Sequence, residues 1–238
     1  MKKINKGKIF SLVTNFALMG VIALVFTLGF AYNSSNVVNM KKSVQPIYRG
    51  NVEKRQVSIM FNVYENTEVV NSIIDVLEEY GVNATFFVGG CWADDNVETL
   101  KRIINSGSEI GNHGYFHKDH KKMSYEENLN EINVNTELIK GVCGVEMKLF
   151  APPSGSFSQK TLDASDDLGY KVIMWSKDTI DWRDNDTKVI IDRATKNLKN
   201  GDLILMHPKM HTFTALPSIL SYILHDGFNI VTVSENII

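Results

Sequence analysis

The chain has 238 residues, with 25 Lys or Arg against 27 Asp or Glu and a formal net charge of −2. That balance leaves no cationic excess to hold a polyanion, which argues against a nucleic-acid partner. Beyond an apolar N-terminal stretch, the length suits one domain with its own core and is short for two.

Lys2, Lys3, Lys6 and Lys8 precede a run from Ile9 to Ala31 that contains no charged residue. A membrane-crossing helix needs roughly 20 apolar residues, whereas a signal-peptide core needs about 7–15, so residues 1–31 read as a basic cytoplasmic tip and a transmembrane anchor. The lysines stay in the cytoplasm, which makes the chain a single-pass cell-membrane protein with its domain outside. Gly29-Phe30-Ala31 also suits a leader cleavage site, which would leave the domain secreted. The length of the run favours the anchor. Residues 32–55 lack any period and are rich in Asn, Ser, Lys and Val, as a linker would be. Residues 56–238 form the domain, for which a monomer is expected.

Within the domain, Val57 to Phe61 reads as a strand. Val69, Val70, Ile73, Ile74, Val76 and Leu77 follow at helical spacing, until Gly81 stops the pattern. Ala84 to Val88 is a buried strand, Val97 to Asn105 a helix and Glu109 to Gly111 a short strand. Ser124-Tyr125-Glu126-Glu127 is a capping box that opens a helix running to about Gly141. Further strands are expected at Lys148 to Ala151, Lys171 to Trp175, Asp202 to Met206 and Asn229 to Val233. Helices are expected at Gln159 to Leu168, Thr187 to Leu198 and Ala215 to His225. Such alternation predicts an α/β fold on a parallel sheet, open or closed into a barrel, with ligands beyond the carboxyl ends of the strands. A disulfide between Cys91 and Cys143 is permitted in an exported protein but not indicated, and neither cysteine is assigned a function.

Four of the six histidines follow strand ends. His113 and His117 lie four apart; on a helical turn they would share a face and converge on one cation, although such a pair alone more often simply packs. His120, among Lys118, Asp119, Lys121 and Lys122, reads as structural. His207 ends an apolar strand and can exchange a proton near neutral pH, or merely satisfy a loop carbonyl. Asp178, Asp181 and Trp182 follow another strand, where a carboxylate beside an aromatic face suits a sugar ring or an oriented imidazole. A helix cap beside a packed aromatic is the plainer alternative.

Taken in order, Phe61-Asn62, Asn112-His113 to His117, Ala151-Pro152-Pro153-Ser154-Gly155, Asp178 to Trp182 and Leu205-Met206-His207 resemble the five motifs of the NodB-type polysaccharide deacetylases, carbohydrate esterase family four. The resemblance spans about Val57 to Val233, flanks such as Ala84 to Gly89 included. It implies a distorted (β/α) barrel that removes N-acetyl groups from amino-sugar polymers such as peptidoglycan or chitin, using a divalent metal, commonly zinc. His113 and His117 would be metal ligands, His207 the general acid and Asp181 its tuning partner. Trp182, Tyr64, Pro153 and Leu205 would contact substrate, with Leu205 lining the acetyl pocket.

The first motif departs from the family. Where the family has paired aspartates, one the general base and the next the third metal ligand, this chain has Asn62 and Val63. An amide can hold water but cannot take its proton, and Val63 cannot bind metal. The family's arginine partner to the base is here Ala151, and losing both together avoids a buried unpaired guanidinium. Glu65 is the nearest substitute carboxylate, as ligand or base; its alternative role is to charge the first turn of the following helix. On the retained imidazoles the expected function is a metal-dependent hydrolase acting on carbon-nitrogen amide bonds, removing N-acetyl groups from amino-sugar polysaccharide. The missing carboxylates favour the alternative, a catalytically inactive glycan-binding protein of the cell envelope.

Overall fold

The computed structural model describes residues 6–35 and 44–238, which form two units divided at Ser43. Lys2, Lys3 and the central part of the expected linker lie outside the described residues. In the first unit α1 (Lys6–Ser35) is one continuous helix of 30 residues. Apolar side chains along it, among them Phe10, Phe16, Leu24 and Phe26, are exposed. The expected cleavage site Gly29-Phe30-Ala31 falls within this helix, with the side chains of Phe30 and Ala31 outside the described residues. Among the described residues no helix is long and apolar enough to cross a membrane.

The second unit is a parallel half-barrel wrapped by helices. Its elements are β1 (Gln56–Val63), α2 (Thr67–Tyr80), β2 (Thr85–Val88), α3 (Gly90–Asp95), α4 (Val97–Asn105), β3 (Glu109–Asn112), α5 (Tyr125–Cys143), β4 (Leu149–Phe150), α6 (Gln159–Asp167), β5 (Lys171–Val172), β6 (Lys177–Asp178), α7 (Thr187–Thr195), β7 (Leu203–Met206), α8 (Met210–His225), β8 (Asn229–Ile230) and α9 (Val233–Asn236). The sheet order is β5-β4-β3-β2-β1-β7-β6, with β8 on the first residues of β1. Every named strand pair is parallel, so all the strands end on one face.

Burial on both faces explains why the apolar residues of β1 do not alternate with exposed polar ones. Ile59, Phe61 and Val63 join the large cluster containing Val70, Ile73, Ile74 and Leu77 of α2. Met60 joins the smaller cluster with Phe87, Leu149, Ala151, Leu203 and Leu205. Gly111 of β3 admits no larger residue cheaply, because an added Cβ would lie 2.5 Å from the ring of Phe87 on the neighbouring strand. The capping box of α5 forms as expected, with the Glu127 N–H donating to Ser124 Oγ and the Ser124 N–H to Glu127 Oε2.

Several boundaries move. Val44–Gly50 belongs to the compact unit rather than to a linker: Ile47 bridges Ile173 and Arg49 bridges Asp202. Lys177–Asp178 adds an edge strand, α3 adds a short helix, and the C-terminal strand gives way to α9 at Val233. Helix α8 starts at Met210 and carries Pro217 in its interior. Proline usually marks a first turn or an end, which is why the sequence places the start nearer Ala215. Cys91 and Cys143 are unpaired thiols.

Candidate active site

Because the strands run parallel, the loops after β1, β3, β4, β6 and β7 meet at one end. They enclose a cleft of about 280 Å³ lined by Asn62, Tyr64, His113, His117, Ser154, Trp175, Asp178, Trp182, Leu205 and His207. Residues from all five ordered motifs are thus brought together. Of the expected site residues, Pro153, Asp181 and Glu65 stay out of the lining; Pro153 is buried, and its neighbour Ser154 takes the place at the cleft.

The two imidazoles of the β3 loop converge, though not through a helical turn. Residues 113–117 form an irregular loop, His117 is in the left-handed region at φ 54°, and its ring lies 5.2 Å from that of His113 at 65°. Positive φ is uncommon outside glycine and concentrates at functional sites. It recurs here at Ser154 and at Ile180, immediately before Asp181. The His113 ring is 1% exposed, and its Nδ1 donates to the Ala151 carbonyl at 2.7 Å. Burial, then the neighbouring His117, hold its pKa well below the ordinary value, and burial lowers His117 as well.

Helix α5 holds this loop from behind. Asn135 Nδ2 donates to the carbonyls of Val88 (2.8 Å) and Gly114 (3.1 Å). Glu131 accepts from the Phe116 N–H, and Asn112 Oδ1 accepts from the Gly114 N–H at 2.8 Å. His120 is fully buried against Asn128, 2.7 Å from Nδ1 to Oδ1, and remains outside the cleft lining as expected.

Across the cleft His207 and Asp181 form a tight couple. Asp181 Oδ1 accepts from His207 Nδ1 at 2.8 Å, while Oδ2 accepts from the His207 backbone N–H at 2.7 Å and from Thr212 Oγ1 at 2.6 Å. His211 Nε2 donates to the Asp181 carbonyl at 2.7 Å. Thr212 and His211 lie on the first turns of α8, which the sequence reading begins too late to include. Asn135 and Glu131 escape it too, since a polar residue inside a helix carries no local sign of what it reaches. Asp178 Oδ1 accepts from the Ile180 N–H at 2.8 Å, a turn contact with no helix following it, and Trp182 is exposed rather than packed, so the plainer alternative of a helix cap beside a packed aromatic is not what forms.

The first-motif positions are equally plain. Asn62 is 2% exposed with an unpartnered Oδ1, and His113 Nε2 is likewise buried without a partner. Val63 is fully buried in the cluster against α2 and does not line the cleft. Glu65 does not reach it either, because Lys209 takes its carboxylate in an ion pair. Ala151 is fully buried, and its carbonyl orients His113. Catalytic zinc sites have three protein ligands. Of the three imidazoles that line the cleft, His207 is coupled to Asp181, which leaves His113 and His117 as the convergent pair, and no group of three His, Cys, Asp or Glu residues able to hold a metal occurs among the described residues. The donor set is therefore one ligand short of a resident catalytic zinc.

A polysaccharide deacetylase family model matches residues 49–173. The YlxY protein of Bacillus subtilis is 36% identical over 191 residues, covering 80% of this chain and 60% of that protein. A peptidoglycan-N-acetylglucosamine deacetylase of Bacillus cereus is 30% identical over 190 residues, covering 78% of this chain and 69% of the enzyme. The chain spans 38% of another relative, the peptidoglycan-N-acetylmuramic acid deacetylase PdaC of Bacillus subtilis, at 31% identity and 76% coverage of this chain. A solved structure of a CE4 family pseudoenzyme from Bacillus anthracis matches with a TM-score of 0.80 at 32% identity, covering 82% of this chain and 70% of that one. A mutant of that pseudoenzyme with restored enzymatic activity matches at the same TM-score, 0.80. With the half-barrel and its five converging motifs, these likenesses make the chain a divergent NodB-type member of the polysaccharide deacetylase family.

Proposed function

We propose that this chain is a cell-envelope protein whose cleft binds an amino-sugar polysaccharide, peptidoglycan or a chitin-like polymer, without efficient hydrolysis. The supporting observation is the contrast between the walls and the floor. Aromatic faces suited to sugar rings remain at Tyr64, Trp175 and Trp182, while Asn62 offers no base and Val63 is packed into the core. General-base catalysis contributes about 10²–10⁴-fold, so losing it alone removes most of a hydrolytic rate. The pseudoenzyme neighbour supports the same reading. Export, with α1 as the membrane anchor or as a cleaved leader, belongs to the proposal and rests on the charge-free run Ile9 to Ala31 behind the N-terminal lysines.

A second reading, a slow metal-dependent deacetylase, is favoured by the complete His207–Asp181–Thr212 arrangement, which would supply a proton donor to a leaving amine. On that reading zinc would be held by His113 and His117. With the donor set one ligand short, no step is assigned to it. The deciding measurement is acetate release from N-acetylated glycan oligomers with added zinc, beside a His113→Ala control, together with binding of the same oligomers. Binding without release above the control is expected, with Trp182→Ala weakening binding by about tenfold, the scale of one lost stacking contact. Zinc-dependent release abolished in His113→Ala would replace the binding reading with the hydrolytic one.

A further inference from the structure

We infer that the cleft selects the free-amine form of an amino-sugar polymer over the N-acetylated form. The inference rests on the glycan-binding reading above and concerns which sugar the floor accepts. Among the described residues, the buried unpartnered atoms lining the cleft are Asn62 Oδ1 and His113 Nε2, and both are acceptors. For His113 the hydrogen bond behind it decides this: a carbonyl oxygen has only lone pairs, so Nδ1, 2.7 Å from the Ala151 oxygen, carries the hydrogen. In the neutral ring Nε2 then presents a lone pair. Leaving a buried acceptor unpaired costs about 1–3 kcal/mol, so this floor calls for a donor.

The walls point the same way. Among the described residues Asp178 is the carboxylate that lines the cleft, and no Lys or Arg does. Lys209 at the rim is taken up by Glu65, and Arg183, beside Trp182, by Asp184. Tyr64 and His117 stand 4.2 Å apart, with Trp175 and Trp182 completing an aromatic surround. A primary ammonium brings three N–H donors for such acceptors and a positive charge for the carboxylate and the aromatic faces. An acetamide brings a single N–H donor and no charge, and adds a carbonyl oxygen that would meet lone pairs where it needs a donor or a cation. Having lost its carboxylate ligand and base, the site has a polarity that matches the amine a deacetylase would leave behind.

The test is calorimetric titration of the full chain, kept in EDTA throughout, with a glucosamine tetramer and an N-acetylglucosamine tetramer at a pH where the sugar amine is charged. The amine tetramer is expected to bind at least about tenfold more tightly, the scale of one cation–π contact plus one charge-assisted hydrogen bond. Asp178→Asn, which keeps an acceptor for the Ile180 N–H and so spares the loop, should erase most of that preference. Glu98→Gln, at an exposed position of α4, should leave it unchanged. Equal or tighter binding of the acetylated tetramer overturns the inference and leaves the glycan reading standing, whereas binding of neither overturns both. A preference that survives Asp178→Asn, falls equally in Glu98→Gln or appears only with added zinc also overturns it.

Discussion

Asp181 shows how much one buried carboxylate organises. Each of its three side-chain contacts is a donor, the His207 ring, the His207 backbone and the Thr212 hydroxyl, so an amide in its place must turn its NH2 toward one of them. In Asp181→Asn the favourable orientation keeps the oxygen on the backbone N–H and Thr212 and aims the NH2 at His207 Nδ1. The imidazole then has to give up its Nδ1 hydrogen and become the Nε2–H tautomer. Nitrogen chemical shifts of His207 should report that switch, at a stability cost of about 1–3 kcal/mol in urea titration. An unchanged tautomer would mean that the carboxylate does not set the ring. His207 and Asp181 were legible from their places after strands, and so were His113, His117 and Trp182, whereas Asn62 and Leu205, inside strands, were legible only through the family resemblance. Thr212 was not, because a threonine early in a helix looks like any surface threonine until the chain folds it against a carboxylate 31 residues away in sequence.

The segment between β3 and α5 is a different kind of object, a loop whose three histidines all resist protonation. Burial is the largest cause at His113, His117 and His120, and each has its pKa lowered from the ordinary value. In the unfolded chain these rings titrate near ~6.5. Between the lowered folded values and the unfolded one, the unfolded state binds more protons, so folding stability is fully present above about pH 6.5 and drains away as pH falls below it. The urea midpoint should therefore drop between pH 7.5 and pH 5.5. His120→Asn, whose amide nitrogen takes the place of Nδ1 toward Asn128 but cannot titrate, should flatten part of that slope. A midpoint independent of pH in this interval would contradict the assignment of neutral, buried rings. The sequence marked the histidines and the cap of α5, yet not the means of convergence. A left-handed His117 and the grip of Asn135 and Glu131 arise from tertiary contacts, whereas a spacing of four suggested a helical turn.

The order of strands and helices was readable because apolar runs and helical periods alternate strongly from β1 to α8. The start of the domain was not, because Val44–Gly50 has no period and earns its place through pairing far along the chain. Ile47 donates to the Val172 carbonyl and accepts from the Met174 N–H, both at 2.8 Å, while the Gly50 N–H reaches the Gly201 carbonyl at 2.7 Å. Arg49 Nη1 lies 2.6 Å from Asp202 Oδ1, whose side chain is 1% exposed. A fragment beginning at Gln56 would leave that carboxylate without its cation and the β5 edge unpaired. With Arg49 itself 33% exposed, so that solvent screens the pair, the lost ion pair is worth about 1–3 kcal/mol rather than the full cost of a buried one. A fragment of residues 44–238 should therefore unfold at a higher urea concentration than one of residues 56–238, and Arg49→Ala in the longer fragment should recover part of the difference. The effect should also reach the cleft. Met174, held by Ile47, immediately precedes Trp175 in the aromatic wall, so the shorter fragment should bind glycan oligomers more weakly even where it remains folded. Equal stability and equal affinity of the two fragments would show that the clasp contributes nothing to either.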